Sequence, residues 1–173
     1  MDNIILIGFM GSGKSTVGIK LSYRLRRAME DTDKRIEKEE GRTISEIFAT
    51  DGEAYFRNLE TECLKKLLRT ETHKIISAGG GLPIREENHA LLKELGTVIY
   101  LRAKAETIYE RVKHDTSRPL LQGDDPQGKI RKLMLERTEI YEKTSDIIID
   151  VDDKDFETII EEIVEAMEER QGD

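Results

Sequence analysis

The sequence predicts an α/β fold in which helices cover both faces of a parallel sheet. Short runs of aliphatic and β-branched residues lack the polar alternation of a half-exposed sheet, which is typical of strands buried on both sides. Stretches with helical periodicity separate these runs, and a glycine-rich loop directly follows the first of them. Because ligands of open α/β sheets bind at the carboxyl ends of the strands, we expect the functional residues directly after those strands.

The predicted strands are four runs without polar alternation and the end of a short second strand. They are 4–7, 28–32, 74–78, 97–101 and 146–150. Because helical stretches alternate with these strands along the chain, we expect a parallel sheet.

Apolar residues that recur every three or four positions predict the helices. These stripes occupy 17–28, 56–67 and 159–167, and whole helices are predicted over 53–69 and 130–137. Gly96 stands where a C-terminal glycine cap belongs, and Asp125 before Pro126 has the pattern of an N-cap and a first-turn proline. Thr43 and Glu46 have the spacing of a capping box.

Length and composition limit the class of protein. With 173 residues and 37% apolar content, the chain fits one compact domain over 1–173. The formal net charge of −8 argues against a nucleic-acid or membrane-surface partner, because binders of phosphate backbones usually carry a basic face or tail. An anionic small molecule can still bind, because a few arginines in a cleft set the local potential. We therefore expect small-molecule substrates and a monomer.

Several features point to a cytoplasmic location. Cys63 is the only cysteine, so no internal disulfide can form and a reducing compartment is expected. The aliphatic run 4–7 is too short for the apolar part of a signal peptide. No segment approaches the roughly 20 apolar residues of a membrane span.

The segment Gly8 to Thr16 matches the phosphate-binding pattern of a glycine, four residues and then Gly-Lys-Ser, between a predicted strand and a helix. Glycines let backbone N–H groups cradle phosphate oxygens, and the helix N-terminus adds partial positive charge. We expect Lys14 to reach the β and γ phosphates and Ser15 to ligate Mg²⁺. A purely structural glycine turn is the alternative. The expected ATP-binding residues of the loop are Gly11, Ser12, Gly13, Lys14, Ser15 and Thr16.

A kinase must also hold an acceptor hydroxyl in line with the γ phosphate, and Asp31 and Asp33 are the first candidates. Two acids at alternate positions at the end of the short second strand would point to the same side, beside the phosphate loop. One would hold a metal-bound water and the other would orient or deprotonate the hydroxyl. A solvated turn or a helix cap is the alternative for such a pair.

Gly79, Gly80 and Gly81 directly follow a predicted strand, at the position where α/β sheets bind their ligands. Close approach of the backbone to a ligand would require the missing side chains. A tight turn before Leu82 and Pro83 is the alternative.

Four arginines complete the candidate site. Arg57 lies on the predicted helix 53–69, Arg137 ends the predicted helix 130–137, and Arg111 and Arg118 flank a segment rich in Gly, Pro, Asp and Ser that is predicted to be a mobile loop. The planar guanidinium matches carboxylate and phosphate with two hydrogen bonds, so a cleft of arginines selects an anion. Most arginines in a chain with 37% charged residues are merely solvated, so each of the four is weak evidence alone. They support an anion site because they occur together, in order with the other candidate segments.

This ordered set of segments resembles the shikimate kinase family from about residue 4 to about residue 150. The matching segments are 8–18, 31–33, 44–48, 52–53, 56–57, 79–81 and 118–121. The resemblance implies an adenylate-kinase-like fold of the P-loop class, a three-layer sandwich around a five-stranded parallel sheet. It also implies an acceptor-binding region over about 33–59 and a lid over about 113–125.

The activity that the resemblance implies is ATP-dependent phosphorylation of the shikimate 3-hydroxyl, a step of aromatic amino acid biosynthesis that gives 3-phosphoshikimate and ADP. Asp33, Arg57, Arg137 and the glycines 79–81 would bind shikimate, with the two arginines on its carboxylate and Asp33 as general base. Lys14 and Arg118 would stabilise the transferring phosphoryl group. The other implied roles are Arg111 against adenine, Ser15 on Mg²⁺, and Asp31 with Ser77 on the waters of the metal.

Two segments depart from the family pattern. Family members commonly carry proline and leucine between the carboxylate-binding arginine and the next tyrosine, whereas here 138–140 reads Thr-Glu-Ile before Tyr141. The loop after the last strand usually ends with a proline against adenine, and 152–156 has none. The first departure affects the expected geometry of Arg137, and the second leaves nucleotide contacts there unassigned.

Three alternative hypotheses for the function were considered. A gluconate or nucleoside monophosphate kinase would share the fold, but Arg57 and the triple glycine favour a carboxylated ring. A non-catalytic nucleotide-binding module would keep the phosphate loop without needing Asp33 or Arg57, and both are present. A GTPase would carry an Asn-Lys-X-Asp guanine motif, which does not occur in the sequence.

Overall fold

The computed structural model describes residues 2–115 and 122–173. Within these residues, five strands form one parallel sheet in the order β2-β3-β1-β4-β5. The strands are β1 Asn3–Ile7, β2 Met29–Asp31, β3 Ile75–Ser77, β4 Gly96–Arg102 and β5 Ile147–Asp150. The prediction of a five-stranded parallel sheet is therefore confirmed.

Eight α-helices and one 3₁₀ turn connect the strands in the described part of the chain. The helices are α1 Lys14–Leu25, α2 Thr32–Glu40, α3 Ile44–Asp51, α4 Glu53–Thr70, α5 Glu86–Leu95, α6 Ala105–Val112, α7 Pro126–Thr144 and α8 Phe156–Gly172, and the 3₁₀ turn is Leu82–Ile84. None of these helices is long and apolar enough to cross a membrane.

The central strand β1 shows why the sheet is covered on both faces. All five of its residues are buried, and successive side chains of a strand point to opposite faces. Helices must therefore exclude water from both sides, and α1 packs against β3 while α5 packs against β1 and β4. Ile4 pairs with Ile75 of β3 and with Thr97 of β4, so β1 lies between these two strands. The phosphate loop, which follows β1, therefore starts between the carboxyl ends of β3 and β4.

The predicted caps are present. The Thr43 hydroxyl accepts a hydrogen bond from the Glu46 amide at 3.2 Å, and the Asp125 carboxylate accepts one from Gly128 in front of the α7 proline. Gly96 follows the last residue of α5 and caps it. Side-chain oxygens that satisfy free N–H groups fix where these helices begin.

Two predicted boundaries are wrong. The stripe that assigned Ala28 to the first helix extends too far, because α1 ends at Leu25 and Arg26 adopts a left-handed conformation that caps it. Ala28 instead accepts a hydrogen bond from Ile75 at the start of β2–β3 pairing. The helix predicted over 130–137 is one part of α7, which extends to Thr144.

Candidate active site

The loop between β1 and α1 has the backbone shape that a phosphate cradle requires. Gly11 and Gly13 have φ of 74° and 98°, which only glycine adopts without strain. The Lys14 ammonium donates hydrogen bonds to the carbonyl oxygens of Gly8 at 2.7 Å and Phe9 at 3.1 Å, so it lies across the loop. The N-terminus of α1 begins at Lys14 itself, and its free N–H groups and dipole favour an anion there.

A cavity of about 340 Å³ lies beside this loop. It brings together predicted residues from four parts of the chain: Lys14 and Ser15 of α1, Asp31 and Asp33, Ser77 of β3, and Gly79 and Gly80. Gly81, Arg57, Arg111 and Arg137 do not line it. Gly11, Gly13 and Thr16 also line it, whereas Ser12 of the same loop is buried and does not. The carboxyl ends of three strands therefore converge on one site, as parallel packing requires.

Asp31 and Asp33 both face this cavity, although the geometry used to predict it is wrong. Only Asp31 belongs to β2, and it also caps α2 by accepting a hydrogen bond from the Lys34 amide at 3.2 Å. Asp33 lies in the first turn of α2. The helix-cap alternative is thus correct for Asp31, and the two carboxylates meet because the chain turns from strand to helix between them.

The Asp33 carboxyl has an altered affinity for protons. Burial raises its pKa to about 6, and the neighbouring Asp31 charge adds to this rise while the Lys14 ammonium opposes it. A carboxylate of ordinary pKa is a weak base at neutral pH, so the shift brings Asp33 closer to the range in which a general base is effective.

The triple glycine is explained by the side chains that crowd it. None of Gly79, Gly80 and Gly81 has a positive φ, so backbone conformation does not require glycine there. A Cβ on Gly79 would lie 2.5 Å from Oδ1 of Asp33, and a Cβ on Gly81 would overlap the Arg57 guanidinium. The Leu82 amide also donates to the Gly79 carbonyl, so the segment contains the turn given as the alternative. Close approach of its backbone to a ligand stays a prediction.

Arg57 lies on α4 and is held by acids on its own helix. Its Nη1 donates to Oε1 of Glu60 at 2.5 Å, and Nη2 lies 3.4 Å from the exposed carboxylate of Glu53. The guanidinium carbon is 5.5 Å from the centroid of the Phe56 ring. These contacts fix the planar group beside Gly81, where its remaining donors can meet an anion.

Glu60 is a site residue that the sequence interpretation missed. It is fully buried, and among residues 2–115 and 122–173 its Oε2 has no hydrogen-bond partner. Burial raises the pKa of its carboxyl to about 7, although the Arg57 guanidinium acts in the opposite direction. The sequence did contain a sign of its burial, because Glu60 lies on the apolar stripe of α4, four residues after Phe56 and three before Cys63.

Arg137 lies within α7 and not at its end, so its predicted position on the helix is wrong. The Thr-Glu-Ile segment that follows is helical, and the Thr138 hydroxyl donates to the Met134 carbonyl. The Arg137 guanidinium carbon is 5.7 Å from the Phe9 ring centroid, and a Cβ on Gly80 would lie 3.8 Å from its Nη1. Arg137 and Arg57 therefore approach the triple glycine from different helices.

Tyr141 was likewise not assigned a role from the sequence. It lies one turn after Arg137 on α7, and its hydroxyl donates to the Gly80 carbonyl at 2.5 Å. Its ring packs on Tyr100 with centroids 5.1 Å apart. Tyr141 therefore fixes the Gly80 peptide relative to α7 and to Arg137.

Arg111 lies at the outer side of the phosphate loop, in the last turn of α6. Its Nη1 donates to the Gly11 carbonyl at 3.2 Å. A Cβ on Gly13 would lie 3.3 Å from this Nη1 and 3.2 Å from the Phe156 ring. Arg118 lies outside the described residues, as does 116–121 of the predicted lid segment.

Comparisons with known proteins agree on one family. The sequence model of the shikimate kinase family matches residues 10–168. The curated shikimate kinase of Caldanaerobacter subterraneus subsp. tengcongensis is 41% identical over 172 residues, which is 99% of each chain. That of Deinococcus radiodurans is 44% identical over 164 residues, covering 95% of this chain and 82% of the relative.

Solved structures give the same result. The shikimate kinase from Acinetobacter baumannii in complex with shikimate superposes with a TM-score of 0.92 at 34% identity, covering 98% of this chain and 94% of that chain. A gluconokinase from Sinorhizobium meliloti reaches a TM-score of 0.55 at 15% identity, covering 93% of this chain and 88% of that chain. The second likeness is one of fold alone.

Proposed function

Because the chain belongs to the shikimate kinase family, we propose that the cavity beside the phosphate loop is where ATP and shikimate meet. The protein is an ATP-dependent kinase that phosphorylates shikimate. The observation that supports this site is the position of Asp33, which lines the same cavity as Lys14 and lies against Gly79, two residues from the glycine that the Arg57 guanidinium crowds. The acid that would accept the proton of the hydroxyl is therefore close both to the phosphate loop and to the glycines that the arginines approach.

On the phosphate side, we assign the loop residues and Lys14 to the β and γ phosphates of ATP. Contacts of the Lys14 ammonium with two loop carbonyls support this assignment, because a cation held at the phosphate loop would stabilise the negative charge that grows on the γ phosphoryl group during transfer. Arg111 would lie against the nucleoside. Arg118 and the lid segment 113–125 would add charge and exclude water, a role that remains a prediction.

The donors present fit a magnesium ion. Ser15 and Asp31 both line the cavity, with Ser77 beside them, and oxygen donors are the ligands that Mg²⁺ prefers. No group of three or more His, Cys, Asp or Glu suitable for a metal occurs among the described residues, which suits an ion held mainly by waters and phosphates. We assign Ser15 as its direct ligand and Asp31 as a ligand through water. Bound Mg²⁺ would neutralise charge on the phosphates.

On the acceptor side, we assign Arg57 and Arg137 to the carboxylate of shikimate and Asp33 to its 3-hydroxyl. Both guanidinium groups approach the triple glycine, and Asp33 faces Gly79 at the other end of the same segment. An acceptor laid along these glycines would be held by its carboxylate while Asp33 accepts the hydroxyl proton. The oxygen would then attack the γ phosphorus in line with the leaving ADP.

These assignments place the whole acceptor pocket on one chain. The acceptor-binding region would be 33–59 together with Gly79 to Gly81 and Arg137, within one kinase domain over 1–173. We propose that a monomer is the working unit, because the residues assigned to both substrates belong to the same chain. The cytoplasmic location stays a prediction.

Replacing Arg57 with lysine is expected to raise the KM for shikimate by roughly tenfold or more, since a point charge cannot replace a two-pronged contact with a carboxylate. The KM for ATP should change little. Steady-state kinetics with each substrate varied in turn would measure both. Arg69→Lys, an exposed position on the same helix, is the matched control and should behave as wild type. An unchanged KM for shikimate in Arg57→Lys would show that its carboxylate binds elsewhere.

A further inference from the structure

Among the described residues, the buried carboxylate of Glu60 accepts a hydrogen bond on only one of its two oxygens. Oε1 accepts from Arg57 at 2.5 Å, whereas Oε2 lacks a hydrogen-bond partner in the described part of the chain. A Cβ on Gly79 would lie 3.2 Å from this Oε2 and 2.5 Å from Oδ1 of Asp33. Glu60 therefore presents a free oxygen to the segment along which the acceptor is proposed to lie.

The groups that face Glu60 come from three helices. Arg57 is on α4 itself, Asp33 comes from α2, and Arg137 and Tyr141 come from α7. Burial raises the pKa of the Tyr141 phenol, so it contributes no charge near neutral pH. With both acids ionised, two negative and two positive charges balance. An incoming carboxylate would leave a buried cluster with an excess negative charge, which is unfavourable away from water.

We propose that binding of the acceptor carboxylate draws one proton from solvent onto Oε2 of Glu60. The inference rests on the proposed function, because it requires the carboxylate to bind at Arg57 and Arg137. Once protonated, Glu60 can still accept the Arg57 hydrogen bond through Oε1, so the guanidinium stays in position. Its positive charge is then available to the acceptor. Glu60 is in this sense a positioning residue that acts through Arg57.

Two further arguments favour Glu60 as the group that takes the proton. Asp33 must remain ionised if it is to accept the hydroxyl proton. The pKa of Glu60, raised to about 7 by burial, means that protonation near neutral pH requires little free energy. A second anion close to Arg57 raises that pKa further, because it repels the ionised form.

The sign of the pH dependence follows from this coupling. When the bound state has the higher pKa, binding takes up protons in the range between the free and bound values, and affinity falls as the pH rises through that range. The Kd for shikimate should therefore increase by up to roughly tenfold per pH unit between about 7 and the pKa of Glu60 in the bound state.

Titration calorimetry of the wild-type chain with shikimate at pH 7.5 to 8, in phosphate and in Tris buffer, measures the proton uptake directly. Uptake of a substantial fraction of one proton, seen as a difference in apparent binding enthalpy between the buffers, supports the proposal. Binding without proton uptake overturns the inference and leaves the proposed function intact. Absence of shikimate binding in both buffers overturns both.

Glu60→Gln identifies the group. The variant is expected to bind shikimate without proton uptake and with an affinity that is constant from pH 7 to pH 9, and continued uptake would overturn the proposal. Glu62→Gln is the matched control, because Glu62 lies on the same helix and pairs with Lys65, and its side chain is 58% exposed, where solvent screens it from the incoming anion. It should retain wild-type uptake.

If Glu60→Gln does not fold, the wild-type chain labelled with ¹³C at glutamate carboxyl carbons gives an independent measurement. One glutamate signal should titrate near pH 7 in the free chain and at higher pH with shikimate bound. Spectra in which no glutamate signal moves in this way would overturn the proposal.

Discussion

Lys14→Ala is expected to lower kcat on the order of 10² or more, because we propose that the ammonium stabilises the negative charge that develops on the γ phosphoryl group. The side chain crosses the phosphate loop and contacts the carbonyls of Gly8 and Phe9. A charge that is in place before the reaction stabilises the transition state without reorganisation, so its loss should appear in turnover. Measuring ADP release at saturating ATP and shikimate gives kcat directly.

The control for this variant is Lys20→Ala. Lys20 is another lysine of α1, exposed and paired only loosely with Glu157 at 3.5 Å, so its removal should leave turnover close to wild type. Circular dichroism of both variants would verify that the helices persist. Near-normal kcat in folded Lys14→Ala would contradict the role given to the ammonium.

Asp33→Asn is expected to reduce kcat on the order of 10² or more, since an amide has the same shape but cannot accept the hydroxyl proton. In the wild type, activity should fall as the pH drops through about 6, because burial raises the Asp33 pKa to that value and protonation removes the base. The pH dependence of kcat/KM tests the second statement, and turnover of the variant tests the first.

Glu39→Gln provides the matched control on the same helix. Glu39 is exposed and pairs with Arg35 and Lys66, so loss of its charge should not change turnover. Purified Asp33→Asn with near-normal kcat would show that another group, or no group, acts as the base.

The parts of this site that could be predicted from the sequence are those whose structure depends on residues close together in the chain. The glycines and Lys14 of the phosphate loop are consecutive, and a strand followed by a glycine turn and a helix has one geometry that suits phosphate. The strands β1, β3 and β4 were likewise predicted because burial on both faces removes polar alternation from each run.

The parts that could not be predicted depend on contacts between distant segments. Glu60 lies on an apolar stripe, and its importance becomes visible only where α4 packs beside Gly79. The contact between Tyr141 and Gly80 joins residues 61 positions apart. Nothing in the local sequence of either residue specifies those neighbours.

Arg137 and Asp33 show how a correct residue can be chosen on incorrect geometry. The helix was predicted to end at Arg137, but Thr-Glu-Ile continues it because no proline interrupts the backbone hydrogen bonds. Asp33 was placed with Asp31 at the end of the second strand, although α2, which Asp31 caps, begins one residue before Asp33. In both cases the position of the side chain depends on how whole helices pack, and the sequence pattern does not predict that packing.

The most direct test of the central claim, that an arginine-lined pocket presents the hydroxyl of shikimate to ATP, is a coupled ADP-release assay of the wild-type chain. Shikimate, gluconate and nucleoside monophosphates would be offered in parallel at the same ATP and Mg²⁺ concentrations. We predict rapid ADP release with shikimate and only background release with the others. Release that depends on gluconate or a nucleoside monophosphate, with none from shikimate, would contradict the account.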